Sequence, residues 1–189
     1  FVRHAQTDAN AKHYLQGQSD GVLNKVGLAQ AASIAEHLHL FFIEKIFSSN
    51  QRRAVATASA IANHHGLTVQ TDPRLQEWNC GDWDAMPAVD FQRMVREQGL
   101  KASTLQPPNG ENFQQVRSRA QDVLGEILSQ NEGKSVLICS HGDFIRSMIG
   151  VLMEIDADIA ANILLDNASY SILEKQQGSW KILTINRIS

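Results

Sequence analysis

Apolar side chains recur at helical spacing, three or four positions apart, in five stretches of the chain. Each stretch predicts one helix with a buried stripe. The stripes comprise Leu28, Ala31, Ala35 and Leu38; Ala54, Thr57, Ala58, Ile61 and Ala62; Phe91, Met94 and Val95; Phe113, Val116, Ala120, Val123, Leu124 and Ile127; and Phe144, Ile145, Met148, Ile149 and Leu152. Gly66 and Gly99 are predicted to follow the ends of the second and third helices.

Short apolar runs between these stripes predict the strands. They lie at residues 1–2, 43–47, 68–70 and 136–139. Two further runs, 171–173 and 180–185, flank the turn sequence 176–179 and indicate a hairpin. Phe1 and Val2 are typical of the end of a strand, so we expect the beginning of that strand to lie upstream of Phe1.

The alternation of strands and helices determines the predicted fold class. Parallel neighbours in a sheet need crossover connections, and helices usually supply them. The sequence therefore predicts a three-layer α/β/α fold with a mostly parallel central sheet and a C-terminal antiparallel hairpin. With 189 residues, 43% of them hydrophobic, and no repeat or linker, we expect one domain over residues 1–189.

The composition of the chain limits the binding partners and the cellular compartment that we expect. A net charge of -3 does not favour binding to nucleic acid or to an anionic membrane. No apolar run approaches the roughly 18 residues of a membrane span. Cys80 and Cys139 are far apart in sequence, which argues against a disulfide scaffold or a cysteine zinc site. We expect a cytoplasmic protein, although Phe1 in the place of a methionine leaves any upstream targeting segment out of view.

Basic side chains follow three of the predicted strands. Arg3 and His4 follow the first strand, Arg53 follows the second, and His141 follows the long apolar strand. Glu77 comes shortly after the third strand. Ligands of open α/β sheets bind at the carboxyl ends of the strands, so these side chains are predicted to converge on one crevice.

Arginine and histidine together favour phosphoryl chemistry. Guanidinium groups bind phosphate oxygens bidentately, and an unprotonated imidazole nitrogen can attack phosphorus. There is no H-E-x-x-H metal motif, and Gly133-Lys134-Ser135 lacks the earlier glycine of a nucleotide phosphate loop. The sequence therefore predicts a phosphate site without a metal ion and without ATP.

Five motifs occur in an order that resembles the histidine phosphatase superfamily, also called phosphoglycerate mutase-like, over nearly the whole chain. The matching segments are Arg3-His4-Ala5-Gln6-Thr7-Asp8-Ala9-Asn10; Leu15-Gln16-Gly17-Gln18; Ser48-Ser49 with Arg53-Ala54 and Thr57-Ala58; Arg74-Leu75-Gln76-Glu77; and Ser140-His141-Gly142. The resemblance implies the phosphoglycerate mutase-like fold. It also implies a small cap over residues 84–112, where Gln106–Gly110 is the clearest turn.

The resemblance implies a catalytic set and a phosphate-binding set. His4 would be the nucleophile that forms a phosphohistidine, Glu77 the general acid, and His141 a partner of the phosphate in the pocket. The phosphate-binding set implied is Arg3, Arg53, Asn10, Gln16 and Gly142. Arg3 and Arg53 would lower the pKa of His4 and keep its ring neutral. A bound phosphate dianion would raise the pKa of Glu77.

Three residues depart from the family pattern, namely Ala5, Gln6 and Asp143. The first two are tolerated in such sequences. Asp143 follows His141-Gly142, where a second glycine is common. Its carboxylate could repel a phosphate or select a cationic substrate group, or it could be a solvated residue in the first turn of a helix. We favour the helix interpretation.

The resemblance favours the phosphatase branch, because Glu77 is followed by Trp78-Asn79-Cys80-Gly81 and not by the R-H-Y-G of the mutases. We expect a phosphomonoester hydrolase that acts on a small phosphorylated metabolite without a cofactor. A bisphosphoglycerate-dependent phosphoglycerate mutase and a non-catalytic phosphate or phosphopeptide binder remain alternatives. The sequence leaves open whether the protein forms a homodimer.

Overall fold

The computed structural model describes residues 1–188, and its centre is a six-stranded sheet. The strands are β1 (Val2–Arg3), β2 (Lys45–Ser48), β3 (Val69–Thr71), β4 (Val136–Ser140), β5 (Tyr170–Gln176) and β6 (Ser179–Arg187). Their order across the sheet is β3-β2-β4-β1-β5-β6. The first four are parallel, and β5 and β6 are antiparallel additions at one side. The predicted mostly parallel sheet with a C-terminal hairpin is confirmed.

Seven α-helices connect the strands within residues 1–188. They are α1 (Asp8–Ala11), α2 (Lys25–Leu38), α3 (Arg52–His65), α4 (Ala88–Glu97), α5 (Phe113–Gln130), α6 (Gly142–Leu152) and α7 (Ala157–Ala160). The five predicted helices correspond to α2–α6. The sequence pattern did not indicate α1, α7 or the 3-10 helices Pro73–Leu75, Gly81–Trp83 and Ala102–Thr104, because three or four residues are too few for a repeating apolar stripe.

Apolar side chains fill both faces of the sheet. On one face, the strand residues Val2 and Ile46 belong to the same buried cluster as Ile34 of α2 and Ile61 of α3. On the other face, Ile138 of β4 belongs to a cluster with side chains of α5 and α6. The helices therefore cover the sheet in two layers, which is the three-layer arrangement that the sequence predicts.

One predicted stripe position is wrong. Leu28 is 60% exposed, whereas the buried face of α2 includes Gly27 and Ala31. At Gly27 an added Cβ would lie 2.0 Å from the carbonyl oxygen of Gln6, so only a glycine permits the close approach of the two backbones. The face of α2 that contains Gly27 therefore packs against the main chain of Gln6, and Leu28 lies outside that face.

Three predicted strands begin later than the apolar runs suggest. The strand expected at 1–2 is Val2–Arg3, so Arg3 is the last residue of this strand instead of following it. The strand expected at 43–47 is Lys45–Ser48, and the strand expected at 68–70 is Val69–Thr71. The amides of Glu44 and Lys45 both donate to the carbonyl oxygen of Ser135, which precedes β4. Regular pairing with β4 therefore begins only at Lys45 and Val136.

The register of the parallel strands places their carboxyl ends at one edge of the sheet. Arg3 pairs with Ser140, and Ser48 pairs with Cys139. The residues that directly follow β1, β2 and β4 are therefore neighbours in space. None of the helices described within residues 1–188 combines the length and apolarity needed to span a bilayer.

Candidate active site

His4 lies directly after β1, and its backbone amide donates to the carbonyl oxygen of Ser140 at 2.9 Å. The ring is 3% exposed, and its Nδ1 lies 2.8 Å from the carbonyl oxygen of Ala5. A carbonyl oxygen can only accept a hydrogen bond, so Nδ1 holds the proton. In the neutral ring, Nε2 is therefore unprotonated and has the lone pair that a nucleophile needs.

Arg53 enters the site from the first turn of α3, the helix that follows β2. Its side chain is fully buried, and its Nε donates to His4 Nε2 at 3.3 Å and to His141 Nδ1 at 3.2 Å. Its other nitrogens donate to the carbonyl oxygens of Ser19 and Gly17, at 2.9 and 2.8 Å. One guanidinium group thus links both histidine rings to the loop that follows α1.

His141 is the N-cap residue of α6, and the centroid of its ring lies 5.0 Å from that of His4. Because its Nδ1 accepts from Arg53, the proton of the neutral ring is on Nε2. That Nε2 and the Nε of Arg3 are two of the four buried polar side-chain atoms without a hydrogen-bond partner within residues 1–188. Two unpaired N–H donors beside a nucleophile suit an oxyanion.

The two arginines of the site have backbone carbonyl partners and no carboxylate in direct contact within residues 1–188. Within residues 1–188, neither Arg3 nor Arg53 forms an ion pair with a carboxylate. Arg3 Nη1 instead donates to the carbonyl oxygen of Leu165 at 2.5 Å. Burial lowers the pKa of both guanidinium groups. A buried guanidinium without an ion-pair partner is stabilised when an anion binds beside it, so the site suits an anion.

Burial is the main cause that keeps both histidines neutral. It lowers the pKa of His4 well below 6.5, and the charges of Arg53 and Arg3 lower it further. Burial also lowers the pKa of His141 well below 6.5, with the neighbouring His4 and Arg53 as the next causes. The direction that the sequence suggested for His4 therefore agrees with the structure, although desolvation contributes more than the arginines.

Glu77 is 8% exposed, and the backbone holds its carboxyl group. Oε1 accepts from the amides of Trp78 and Phe144 at 2.9 and 3.0 Å, and Oε2 accepts from the amide of Asp143 at 3.3 Å. Burial raises the pKa of Glu77, and the charge of Asp143 raises it further. The amide hydrogen bonds and the charge of Arg53 lower the pKa, but the net direction is upward, which is the direction that a general acid needs.

Comparison with known proteins identifies the family. The family model of the histidine phosphatase superfamily (branch 1) matches residues 1–188. The chain belongs to this superfamily. The resemblance stated from the sequence motifs is thus confirmed.

Among the relatives of this superfamily member, some are named as mutases and others as phosphatases or hydrolases. A Yersinia pestis protein named probable phosphoglycerate mutase GpmB is 33% identical over 185 residues, which is 95% of this chain and 86% of the relative. A structure of mycobacterial glucosyl-3-phosphoglycerate phosphatase complexed with VO3 is 29% identical, with a TM-score of 0.88 over 98% of this chain and 96% of that one. A structure named mycobacterial hydrolase 1 is 28% identical, with a TM-score of 0.90, and the coverage is 100% and 97%.

Two further predicted site residues of this histidine phosphatase member, Asn10 and Gln16, belong to one hydrogen-bond network with Thr7. Asn10 Oδ1 accepts from the backbone amide of Thr7 and from Asn167 Nδ2, both at 3.1 Å, and Asn167 also donates to the carbonyl oxygen of His4 at 3.0 Å. Gln16 Oε1 accepts from the hydroxyl of Thr7 at 2.8 Å. The structure thus joins Asn10 and Gln16 through Thr7, and it links Asn10 to the main chain of His4 through Asn167.

Gly142 and Asp143 begin α6, as expected for a site at a helix N-terminus. A Cβ at Gly142 would lie 3.4 Å from Arg146 Nη1 and 3.5 Å from Arg3 Nε. Asp143 is in the first turn, where it forms an ion pair of 2.7 Å with Arg146. The helix interpretation of Asp143 is confirmed. Arg52, the residue before Arg53 at the start of α3, forms an exposed ion pair with Asp20.

Two residues that organise this histidine phosphatase site were not predicted. Gln51 is buried, donates to the carbonyl oxygen of Gly17 and accepts from the amide of Glu77. Arg119 of α5 donates to the carbonyl oxygens of Arg74 and Gln76 at 2.8 and 2.7 Å. The only signal in the sequence is that an arginine at position 119 adjoins the apolar stripe of α5.

Arg119 is a positioning residue for Glu77. Its Nη2 donates to the carbonyl oxygen of Glu77 at 3.3 Å and forms an ion pair of 2.7 Å with Glu111. The guanidinium lies 4.2 Å above the ring of Phe144, whose amide holds Glu77. Arg119 thus fixes both the main chain and the hydrogen-bond partner of the acid.

We expect Arg119→Ala to lower the free energy of unfolding by about 3 kcal/mol, because Glu111 loses a largely buried partner. We also expect kcat to fall about tenfold, since Glu77 loses its fixed position. The decrease of kcat/KM at high pH, where Glu77 loses its proton, should then shift along the pH scale. Urea unfolding measures the loss of stability, and steady-state kinetics measure the loss of kcat.

The control is Arg93→Ala, which breaks an exposed ion pair with Asp90 and should lower the free energy of unfolding by less than about 1 kcal/mol. An unchanged pH profile in Arg119→Ala would contradict the positioning role.

The buried histidines should make the protein sensitive to acid. A pKa below 6.5 in the folded state means that the unfolded chain binds protons that the folded chain does not. The free energy of unfolding is then highest above pH 6.5 and falls as the pH decreases, by up to about 1.4 kcal/mol per pH unit for each histidine. We expect His141→Asn to reduce the difference between pH 6.5 and pH 5 by about 1.6 kcal/mol.

Urea unfolding in phosphate-free buffers between pH 5 and pH 7.5 measures this difference. The matched control is His39→Asn, since His39 is exposed at the end of α2. An acid sensitivity that is the same in His141→Asn and in the unaltered protein would show that His141 is not the source.

Proposed function

We propose that this chain is a phosphomonoester hydrolase that acts on a small phosphorylated metabolite through a phosphohistidine. One observation supports this most strongly: the buried guanidinium of Arg53, which has no carboxylate partner within residues 1–188, donates to the unprotonated Nε2 of His4, and the charge of Arg3 acts on the same ring. A phosphate dianion would neutralise that charge, and its phosphorus would lie beside the nucleophile.

The reaction has two balanced steps. In the first, the lone pair of His4 Nε2 forms a bond to phosphorus while the ester P–O bond breaks, and the protonated Glu77 gives its proton to the leaving alkoxide. In the second, Glu77 takes a proton from water, whose oxygen attacks phosphorus as the P–N bond breaks. Inorganic phosphate leaves, and both side chains regain their starting protonation.

The N–H groups of the site stabilise the transferring phosphoryl group. We propose that Arg3 Nε, the guanidinium of Arg53 and His141 Nε2 donate to its oxygens, with the amide of Gly142 at the helix N-terminus. Asn10 and Gln16 would line the same pocket. Because these groups supply the positive charge that a metal ion would otherwise give, we propose a mechanism without metal or cofactor.

A cytoplasmic location suits the two cysteines. Cys80 and Cys139 are both free and buried, and burial raises the pKa of each thiol to about 12. Such thiols behave as apolar core groups and need no oxidising compartment.

A phosphoglycerate mutase is the second candidate, because the Yersinia relative is named as one. The two activities differ in the acceptor of the phosphoryl group, which is water in a phosphatase and an alcohol in a mutase. A binding module without turnover is the third candidate, and the nucleophilic tautomer of His4 argues against it.

Release of inorganic phosphate from a panel of phosphomonoesters, with and without EDTA, tests the proposal. We expect phosphate release that EDTA does not reduce, and a phosphoenzyme that is labile in acid and stable in base after rapid quenching. Isomerisation of 3-phosphoglycerate primed with bisphosphoglycerate, without phosphate release, would show a mutase instead. Phosphate binding without turnover of any ester would support the binding module.

A further inference from the structure

A cavity of about 220 Å³ lies between helices α4, α5, α6 and α7. We call it the side pocket. Most of its wall is apolar, with Trp78, Phe91, Leu105 and Phe113 among the lining residues. The rings of Trp78 and Phe91 meet edge to face, with centroids 6.3 Å apart. Ligand pockets in proteins typically have such apolar and aromatic walls with few polar groups.

The side pocket adjoins the phosphate site. Trp78 and Asp143 line it, and the backbone amides of these two residues hold the carboxyl group of Glu77. Arg146 also lines it, and its guanidinium lies against Gly142, as does that of Arg3. The side pocket therefore lies beside the groups that would hold the phosphate and protonate its leaving group.

One polar atom in the side pocket has no partner. The hydroxyl of Ser147 is buried, with the residue 1% exposed, and makes no hydrogen bond within residues 1–188. Buried hydroxyl groups in proteins ordinarily have one. Ser147 lies one helical turn beyond Asp143 on α6, which is about 6 Å farther from the phosphate site. A ligand that fills the pocket can reach it with a polar group at its far end.

The charges of the side pocket do not favour a charged leaving group. Arg146 forms an ion pair of 2.7 Å with Asp143, and its Nε donates to the carbonyl oxygen of Ile163 at 2.8 Å. Its charge is thus already compensated. A carboxylate on the leaving group would approach Asp143, and a polyol would leave its hydroxyl groups without partners against the aromatic wall.

We propose that the substrates are phosphate monoesters of uncharged, largely apolar alcohols the size of one ring, with a hydrogen-bonding group at the end remote from the phosphate. This inference rests on the phosphatase activity proposed above. The alcohol occupies the side pocket, and its remote polar group bonds to the hydroxyl of Ser147.

Two esters of matched shape test the substrate class. Cyclohexylmethyl phosphate and glucose 6-phosphate both present a primary phosphate on a six-membered ring, so their leaving groups differ mainly in polarity. We expect kcat/KM to be at least about 100-fold higher for the cyclohexylmethyl ester. Equal values, or a preference for glucose 6-phosphate or 3-phosphoglycerate, would overturn the inference.

A variant that fills the side pocket tests the location. Ala161 lines it, is exposed and has helical backbone angles that a phenylalanine adopts readily. In Ala161→Phe, the ratio of kcat/KM for cyclohexylmethyl phosphate to that for methyl phosphate should fall about tenfold. The matched control is Ala32→Phe on α2, another exposed helical alanine, which should keep the ratio. An unchanged ratio in Ala161→Phe would place the alcohol elsewhere.

Ser147→Ala tests the polar contact. We expect it to lower kcat/KM for 4-hydroxycyclohexylmethyl phosphate about tenfold more than for the cyclohexylmethyl ester. Equal changes would remove Ser147 from the proposal.

Hydrolysis of methyl phosphate distinguishes failure of the substrate class from failure of the phosphatase function. If methyl phosphate is hydrolysed without any preference for the larger apolar ester, only the substrate class is overturned. Failure to hydrolyse any ester overturns the phosphatase function and this inference together.

Discussion

His4→Ala is expected to lower kcat for phosphate release by at least about 10⁴-fold, the largest effect of any single substitution in this chain. The proposed mechanism divides one displacement into two steps through a bond between His4 Nε2 and phosphorus. Without that nitrogen, no phosphoenzyme forms, and the arginines are left to bind phosphate without an attacking group.

Two measurements together test this expectation. Steady-state phosphate release gives the loss of turnover, and quenching after mixing with a ³²P-labelled ester gives the phosphoenzyme, which we expect in the unaltered protein and not in His4→Ala. Binding of inorganic phosphate by calorimetry shows whether the variant keeps its folded pocket. His39→Ala is the matched control, since it removes an exposed histidine.

The role of His4 as nucleophile would be contradicted by a His4→Ala variant that still forms the labelled phosphoenzyme. It would also be contradicted by turnover close to that of the unaltered protein. In either case another group would have to receive the phosphoryl group, and the tautomer set by the contact with Ala5 would have no catalytic meaning.

Glu77→Gln is expected to lower kcat for an alkyl phosphate by about 100- to 10,000-fold. An alkoxide is a poor leaving group unless it is protonated as the ester bond breaks, and glutamine has no proton to give. With 4-nitrophenyl phosphate the leaving group needs no proton, so the first step should survive. The second step still needs a base, so we expect a burst of about one equivalent of nitrophenolate followed by slow turnover.

The pH profile gives an independent measure of Glu77. Only the protonated form of Glu77 can act as an acid, so kcat/KM for alkyl phosphates should fall as the pH rises through its pKa. Burial and the charge of Asp143 raise this pKa, so the fall, which forms the alkaline limb of the profile, should occur at a higher pH than the pKa of an ordinary carboxyl group. Neutral His4 is also required, and its pKa is lowered, so the acidic limb lies well below pH 6.5. Glu77→Gln should lose the alkaline limb and keep the acidic one.

Glu36→Gln is the matched control for Glu77→Gln, since Glu36 is an exposed carboxylate on α2. Equal losses with alkyl and 4-nitrophenyl esters, without a burst, would contradict the acid role. An alkaline limb that persists in Glu77→Gln would assign that limb to another group.

The fold could be predicted from the sequence because most of its helices and strands are marked by residues that lie close together along the chain. Helix α5 shows six apolar positions at helical spacing, and Asn112 caps it by accepting from the amide of Gln115. Gly66 ends α3 with a φ of 63°, a conformation that glycine adopts without strain. Alternation of such elements is enough for the parallel sheet, whereas α7 has only four residues and no pattern of its own.

The sequence by itself also determined which residues meet at the site. His4, Arg53 and His141 each follow a strand, and parallel strands must bring their carboxyl ends to one edge of the sheet. This argument needs only the order of the elements and the residue types. It could not include Arg119, because α5 precedes β4 and its side chains reach Glu77 only through tertiary packing.

Only the tertiary structure decided the chemical state of these groups. The contact of His4 Nδ1 with the carbonyl oxygen of Ala5 leaves Nε2 unprotonated, and the contact of His141 Nδ1 with Arg53 leaves its Nε2–H without a partner. Burial, which depends on distant elements, raises the pKa of Glu77 and lowers those of both histidines. Spacing along a chain reports which residues are near a strand end, but tautomers, desolvation and the side pocket depend on distances between atoms that only packing sets.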